Sequence, residues 1–200
     1  MQRTVRVRLE PSPTQATYMA NTTAQFTAVF NAVCAYGWRQ GEKNGVTLHH
    51  ALYRPLKVEY PELVSDLHCQ ARVKATEALR SAVALLRRKK RVACPTSAQC
   101  PPRLNVHTYR VDWESRTVRM STTGGRQTIR FRVPAYAERY VGYPAATADL
   151  LQRDGQWWLH IVVTLPDVTV ERREPAVVGV DLGLAQPAVT STARFLGLGR

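Results

Sequence analysis

The hydrophobic period of this chain changes once, and that change limits the folds open to it. Apolar residues recur at helical spacing from Ser12 to Arg91. After the Pro-rich stretch from Cys94 to Pro102 they alternate one by one, as in half-buried strands. A strand also precedes the helices: Val5, Val7 and Leu9 of Thr4–Leu9 face one way, Arg6 and Arg8 the other. Helices flanked by strands on both sides in sequence predict an α+β chain, with the helices inserted into a β-domain.

Local signals place the elements. Ser12-Pro13-Thr14-Gln15 is a helix start, with Ser12 as cap, Pro13 at the first helical position and Gln15 completing a capping box. Met19, Phe26, Val29, Phe30 and Val33 then keep helical spacing, and Gly37 or Gly41 ends the run. A short helix over Thr47–Arg54 is expected to stop at Pro55. The clearest helix is predicted over Glu62–Arg91. Its apolar stripe is Leu67, Ala71, Ala75, Ala78, Leu79, Ala82 and Leu86; Arg72, Thr76 and Arg80 mark a polar face. It closes on Arg87-Arg88-Lys89-Lys90-Arg91, which suits a helix C-terminus and can also bind phosphate.

The strands come next. Tyr109, Val111 and Trp113 alternate with Arg110 and Asp112; Val118 and Met120 flank Arg119; Ile129, Phe131 and Val133 alternate with Arg130 and Arg132. Gly124-Gly125 and Asp154-Gly155 are turn signals, the second between strands around Thr147–Leu151 and Trp157–Leu165. Short strands joined by tight turns predict a small barrel. Trp113 and Trp157 fall on its apolar face, whereas Trp158 falls on the opposite face and can stack on a base. That outer face also carries Arg6, Arg8, Arg110, Arg119, Arg130 and Arg132.

Charge narrows the partner. Twenty-eight Lys and Arg against 15 Asp and Glu give a formal net charge of +13, and only five of the cations are lysine. Arginine's planar fork suits phosphate, so nucleic acid is the expected partner. No stretch reaches the roughly 18 apolar residues of a spanning helix, and the amino terminus lacks a signal-peptide core. A cytoplasmic protein without a membrane partner is expected. Cys34, Cys69, Cys94 and Cys100 contain no CxxC pair, so no zinc ribbon is expected. Cys94 and Cys100 read as reduced loop thiols, with a bridge or shared metal as the alternative, and Cys34 and Cys69 as small core residues. The five histidines are scattered and read as structural.

Residues Val177-Val178-Gly179-Val180-Asp181-Leu182-Gly183-Leu184-Ala185 run an apolar strand into one carboxylate, and Pro187–Thr192 would pair back on it. A buried strand is expected, and a buried Asp there implies a partner or a metal.

The ordered parts resemble the amino-terminal half of the TnpB/OrfB family. These are insertion-sequence proteins called putative transposases, RNA-guided DNA endonucleases related to type V CRISPR effectors. Val64-Ser65-Asp66-Leu67-His68-Cys69-Gln70 and the Ala-rich helix resemble the family's second recognition helix. Gly155-Gln156-Trp157-Trp158-Leu159-His160-Ile161-Val162-Val163 resembles its Gly-Lys-Trp-Tyr-hydrophobic strand. Val178-Gly179-Val180-Asp181-Leu182-Gly183 with Ala188-Val189-Thr190-Ser191 resembles its first RuvC motif. The resemblance implies an oligonucleotide-binding-like wedge barrel (residues 1–10 and 95–168), a helical recognition insertion (11–94), and the first strands of an RNase H-like RuvC domain (176–200). It implies guide RNA and target DNA as partners, and Mg²⁺ held in part by Asp181.

The chain also departs from the family. No Asp or Glu follows Asp181, the four-cysteine ribbon is missing, and Thr192-Ala193-Arg194 stands where Asp-Gly or Asn-Gly is common. A cleavage-incompetent, truncated form is therefore expected, because two-metal cleavage needs several carboxylates. Two alternatives remain: a non-enzymatic RNA- or DNA-binding remnant or repressor-like module, and a fragment of an actin-like ATPase, in which an Asp-Leu-Gly turn approaches ATP phosphates.

Overall fold

The computed structural model describes residues 1–88, 91–166, 178–183 and 188–196. The chain forms two compact units, Met1–Pro166 and Asp167–Arg200.

The first unit is α+β. Strand β1 (Gln2–Glu10) leads into helices α1 (Pro13–Gln40), α2 (Gly45–Glu59) and α3 (Ser65–Arg87). Strands β2 (Arg103–Leu104), β3 (Tyr109–Asp112), β4 (Thr117–Thr122) and β5 (Gly125–Arg132) follow. A short 3-10 helix (Ala135–Tyr140) then precedes the hairpin of β6 (Ala145–Arg153) and β7 (Gln156–Thr164). The seven strands form one antiparallel, nearly closed barrel-like sheet in the order β2-β6-β7-β1-β5-β4-β3. β1 sits inside it, paired to β7 from Gln2 to Arg8 and to β5 from Arg8 to Glu10. The 3-10 helix adds a partner on the side that β5 leaves open: the Arg6 amide donates to the Tyr136 hydroxyl at 3.4 Å.

Alternation sorts the sheet as the sequence implies. Val5, Val7, Leu9, Val118, Met120, Ile129, Phe131, Trp157, Leu159 and Ile161 are buried, and the helices share that core through Met19, Phe26, Leu67 and Leu79. Asp154 and Gly155 both take positive φ (51° and 71°), the twist a two-residue hairpin needs.

Helix α1 begins on the expected capping box. Gln15 N–H donates to Ser12 Oγ at 3.3 Å and Ser12 N–H to Gln15 Oε1 at 3.0 Å. The helix ends at Gly41 in the left-handed region. Its polar residues attach it to the barrel. Gln15 Nε2 donates to the Thr128 carbonyl at 3.0 Å, Thr22 Oγ1 accepts from the Thr123 amide at 3.0 Å, and Thr27 Oγ1 accepts from the Cys100 amide at 2.9 Å. Asn31 exchanges two hydrogen bonds of 2.9 Å with the Ser97 backbone, so the Pro-rich loop is fastened to α1. The Tyr18 ring lies on the β4–β5 turn, where a Cβ on Gly124 would come within 2.4 Å of it.

The helix bounds differ from the sequence reading in three ways. α2 runs on through Pro55 to Glu59. The Pro55 ring is exposed, so it costs the helix one backbone hydrogen bond without disturbing the core. α3 starts at Ser65, not Glu62, because Leu63 turns into the core and Val64 is extended. It ends at Arg87, before the basic cluster is complete, and Leu86 is exposed instead of continuing the stripe. Thr76, expected on the polar face, is buried, and its hydroxyl donates to the Arg72 carbonyl at 2.8 Å.

In the second unit, β8 (Val180–Asp181), β9 (Ala188–Thr190) and β10 (Phe195–Leu196) form an antiparallel sheet in the order β10-β9-β8. The expected back-pairing of β9 on β8 is present, Val180 opposite Thr190 and Asp181 opposite Val189. The expected burial is not. Val178 and Val180 are about half exposed and Asp181 is exposed; strands of two or three residues cannot enclose a core. Val177 lies outside the described residues.

Two predictions follow from this packing. Gly124→Ala is expected to cost about 1–3 kcal/mol in urea unfolding, because the new methyl meets the Tyr18 ring. Its effect should couple non-additively to Tyr18→Ala; strict additivity contradicts the contact. The other prediction concerns His68, which is buried. Its Nε2 lies 3.1 Å from the Tyr60 carbonyl, so that nitrogen carries the proton, and Nδ1 is left without a partner. Burial above all pushes the His68 pKa below its usual value of 6.5, with the Tyr60 hydrogen bond opposing. The unfolded chain therefore binds more protons just below pH 6.5, and stability falls as pH drops through that value. The urea midpoint should fall between pH 7 and pH 5, and fall less in His68→Gln, whose amide keeps a donor for Tyr60. An equal fall in both proteins rules out His68 as the titrating group.

Candidate nucleic-acid interface

Strand register, which sequence alone does not give, decides which arginines meet. On the outer face Arg110 stands directly opposite Arg119, and Arg8 directly opposite Arg132. Arg119 pairs with Thr128 and Arg130 with Thr117, so Arg119 and Arg130 are diagonal neighbours. Arg6 stands opposite His160, and Arg8 opposite Trp158 on its other side. One outward face thus carries cations across β1, β5, β4 and β3, four strands adjacent in the sheet. Like charges directly opposite each other destabilise a sheet by a few tenths to about 1 kcal/mol per pair. A fold has no use for two such pairs in one sheet; an anionic partner does.

Two carboxylates offset part of that repulsion: Asp112, in phase with Arg110 on β3, and Glu10. Glu10 lies on the face, opposite Arg130, and pairs with Arg132 and, at 3.8 Å, with Arg8. The other ion pairs lie off it. Glu77 grips Arg103 with two bonds, the shorter 2.9 Å. Lys74 Nζ lies 2.9 Å from Asp149, and Arg116 lies 2.9 Å from Glu138. Among the described residues Arg6, Arg110, Arg119 and Arg130 form no ion pair, and all four are exposed.

The structure adds Arg126 to the row. It is on β5 in phase with Arg130 and Arg132, exposed, with one Nη donating to the His107 carbonyl at 2.9 Å. Its place beside the Gly124-Gly125 turn hid it from a reading by strand alternation, although its parity with Arg130 was visible. Sequence reasoning also left out Arg153, on β6 beside Trp158 and His160. Burial, then the nearby Arg6 charge, holds His160 below the usual histidine range, so it is neutral at pH 7.

The helical cations are placed differently. Arg80, Arg87, Arg88 and Arg91 are exposed on α3 and the residues after it, and Lys89 and Lys90 lie outside the described residues. Arg72 is half-buried in a cleft with His49, Tyr53 and His68. Its guanidinium lies over Gly45 of α2, where a Cβ would meet Nη1 at 2.6 Å.

Asp181, the expected metal ligand, is exposed. Among the described residues no three His, Cys, Asp or Glu side chains converge as ligands of one ion. The described set does not make up a Mg²⁺ site, and no step through that ion is derived. The four cysteines are free thiols; burial pushes Cys34 up to about 12, and Cys69 and Cys100 upward. Among the described residues no helix is long and apolar enough to cross a membrane.

No protein-family model matches this chain, and no curated protein matches it either.

The arginine row makes a prediction that links stability to binding. Arg119→Thr removes one facing cation pair and adds a β-branched residue, so it should raise the urea midpoint while weakening binding to RNA. A lower midpoint contradicts the repulsion assigned to this pair.

Proposed function

We propose that this chain is the nucleic-acid-gripping part of a TnpB-like, transposon-associated RNA-guided DNA endonuclease. The observation that carries the reading is the row of outward arginines on adjacent strands, set in like-charged pairs. The order of motifs that resemble the TnpB/OrfB family supports it. In this reading the barrel is the wedge domain, α1–α3 are the recognition insertion, and the β8–β9 hairpin is the start of a RuvC domain. Guide RNA and target DNA are the partners, held mainly by their phosphates. Asp181 would be one of several carboxylates around Mg²⁺. The second reading is a non-enzymatic RNA- or DNA-binding module; it is favoured by an interface that lies wholly within the first unit and needs nothing from Asp181.

Binding through phosphate is tested with salt. Four to six phosphate contacts should cost about 10²–10³-fold in affinity between 50 and 200 mM salt, because each releases condensed counterions. Fluorescence anisotropy with a structured RNA measures this directly. Replacing Arg110, Arg119 and Arg130 together by Ala should flatten the slope of log affinity against log salt by about 2–3. Affinity that is insensitive to salt, or a slope unchanged in the triple variant, overturns the reading.

A further inference from the structure

A groove of about 300 Å³ opens on the outer face at the β6–β7 hairpin, lined by Arg6, Leu151, Arg153, Asp154, Trp158 and His160. We propose that this groove is a subsite for one unpaired nucleotide of a bound strand, its base stacked on Trp158 and its phosphate held by Arg6 and Arg153. The proposal rests on the arginine row being a nucleic-acid interface and names a distinct part of it.

The argument begins with an apolar surface out of place. Trp157 points inward and is buried, so its neighbour Trp158 points out, onto a face that carries Arg6, Arg8 and His160 beside it. Leu151 lies directly across from it on β6 and is half-buried beside it. Together they give a flat apolar floor. Packing of the fold does not account for it, since both sit on the solvent side of a sheet whose core is already filled by Leu150, Trp157 and Leu159. A base fits such a floor because every base has a π-face, whatever its identity.

The rim supplies the rest of a nucleotide's needs. Arg6 and Arg153 bring two fork-shaped phosphate donors, neither in an ion pair among the described residues. Asp154, on the hairpin turn, and His160, neutral for the reasons given above, offer hydrogen bonds to a base edge or sugar hydroxyl. A stacked duplex cannot present a base face to Trp158, so the occupant is unpaired. The groove also continues into the phosphate-binding row, since Arg8 is the cross-strand neighbour of both Trp158 and Arg132. That continuity favours a nucleotide within a strand over a free one.

The test uses the full chain and two RNAs: a perfectly paired, blunt-ended duplex of two strands, and the same duplex with one bulged nucleotide. Anisotropy at fixed salt should show the bulged RNA bound more tightly. Trp158→Leu, which keeps an apolar side chain but no ring, should weaken the bulged RNA by about 5- to 150-fold and leave the fully paired duplex within about twofold. Trp158→Phe should restore most of the loss. AMP should compete poorly. If Trp158→Leu, with an unchanged urea midpoint, binds the bulged RNA like the native chain, or loses both RNAs equally, the subsite is wrong while the arginine interface stands. Competition by AMP as strong as by bulged RNA makes the groove a free-nucleotide site and overturns the proposal. If the native chain binds neither RNA, the subsite falls together with the functional reading beneath it.

Discussion

The first unit depends on β1 lying between β7 and β5. Its inward residues, Val5, Val7 and Leu9, are buried among side chains from both ends of the sheet. Its outward residues, Arg6 and Arg8, meet His160, Trp158 and Arg132 on the flanking strands. A one-residue slip of β1 would place arginines in the core and valines in water, so the buried face fixes the register. The register in turn fixes which arginines face each other. All three helices lie between β1 and the strands it pairs with, so the sheet cannot close until the helical segment has folded back across it. The hydrogen bonds of Gln15, Thr22, Thr27 and Asn31 to distant backbone hold that arrangement.

A charge pattern that works against the fold is the clearest functional signal here. Three cations elsewhere in the unit are paired with carboxylates: Arg103 with Glu77, Arg116 with Glu138 and Lys74 with Asp149. On the outer face Glu10 pairs with Arg132 and Arg8 and Asp112 flanks Arg110, while Arg6, Arg119 and Arg130 form no ion pair among the described residues. In the proposed reading, phosphates of a bound strand would supply the negative charge that this face lacks. The same face also holds the half-buried aromatic floor of the hairpin, at Trp158. Phosphate contacts tolerate any sequence, and so does stacking on an indole. Both therefore fit recognition of shape and single-strandedness rather than of particular bases.

Much of the fold was legible in sequence because the relevant forces are local. The Ser12–Gln15 capping box, the Asp154-Gly155 turn and the alternation of Val, Ile and Phe with Arg all rest on interactions within a few residues. Helix bounds were less legible. Pro55 does not stop α2, and its ring lies exposed on the helix, a tertiary fact. Leu63 was pulled from α3 by the core rather than by propensity. The strand at Val178–Asp181 reads as buried only if something covers it, and its own short sheet does not. The site was half legible: alternation found Arg6, Arg8, Arg110, Arg119, Arg130 and Arg132, but the facing pairs, the place of Arg126, and the groove joining β6 and β7 residues to Arg6 all require register.

Arginine footprinting tests the central claim most directly. The chain is treated with an arginine-selective dicarbonyl, with and without a structured RNA at low salt, and modification is read at each residue by mass spectrometry. The account predicts that RNA protects Arg6, Arg110, Arg119 and Arg130, while Arg54 on α2 and Arg116 in its Glu138 pair are unchanged. Protection that spares the outer face of the sheet, or that is uniform over all exposed arginines, would contradict it.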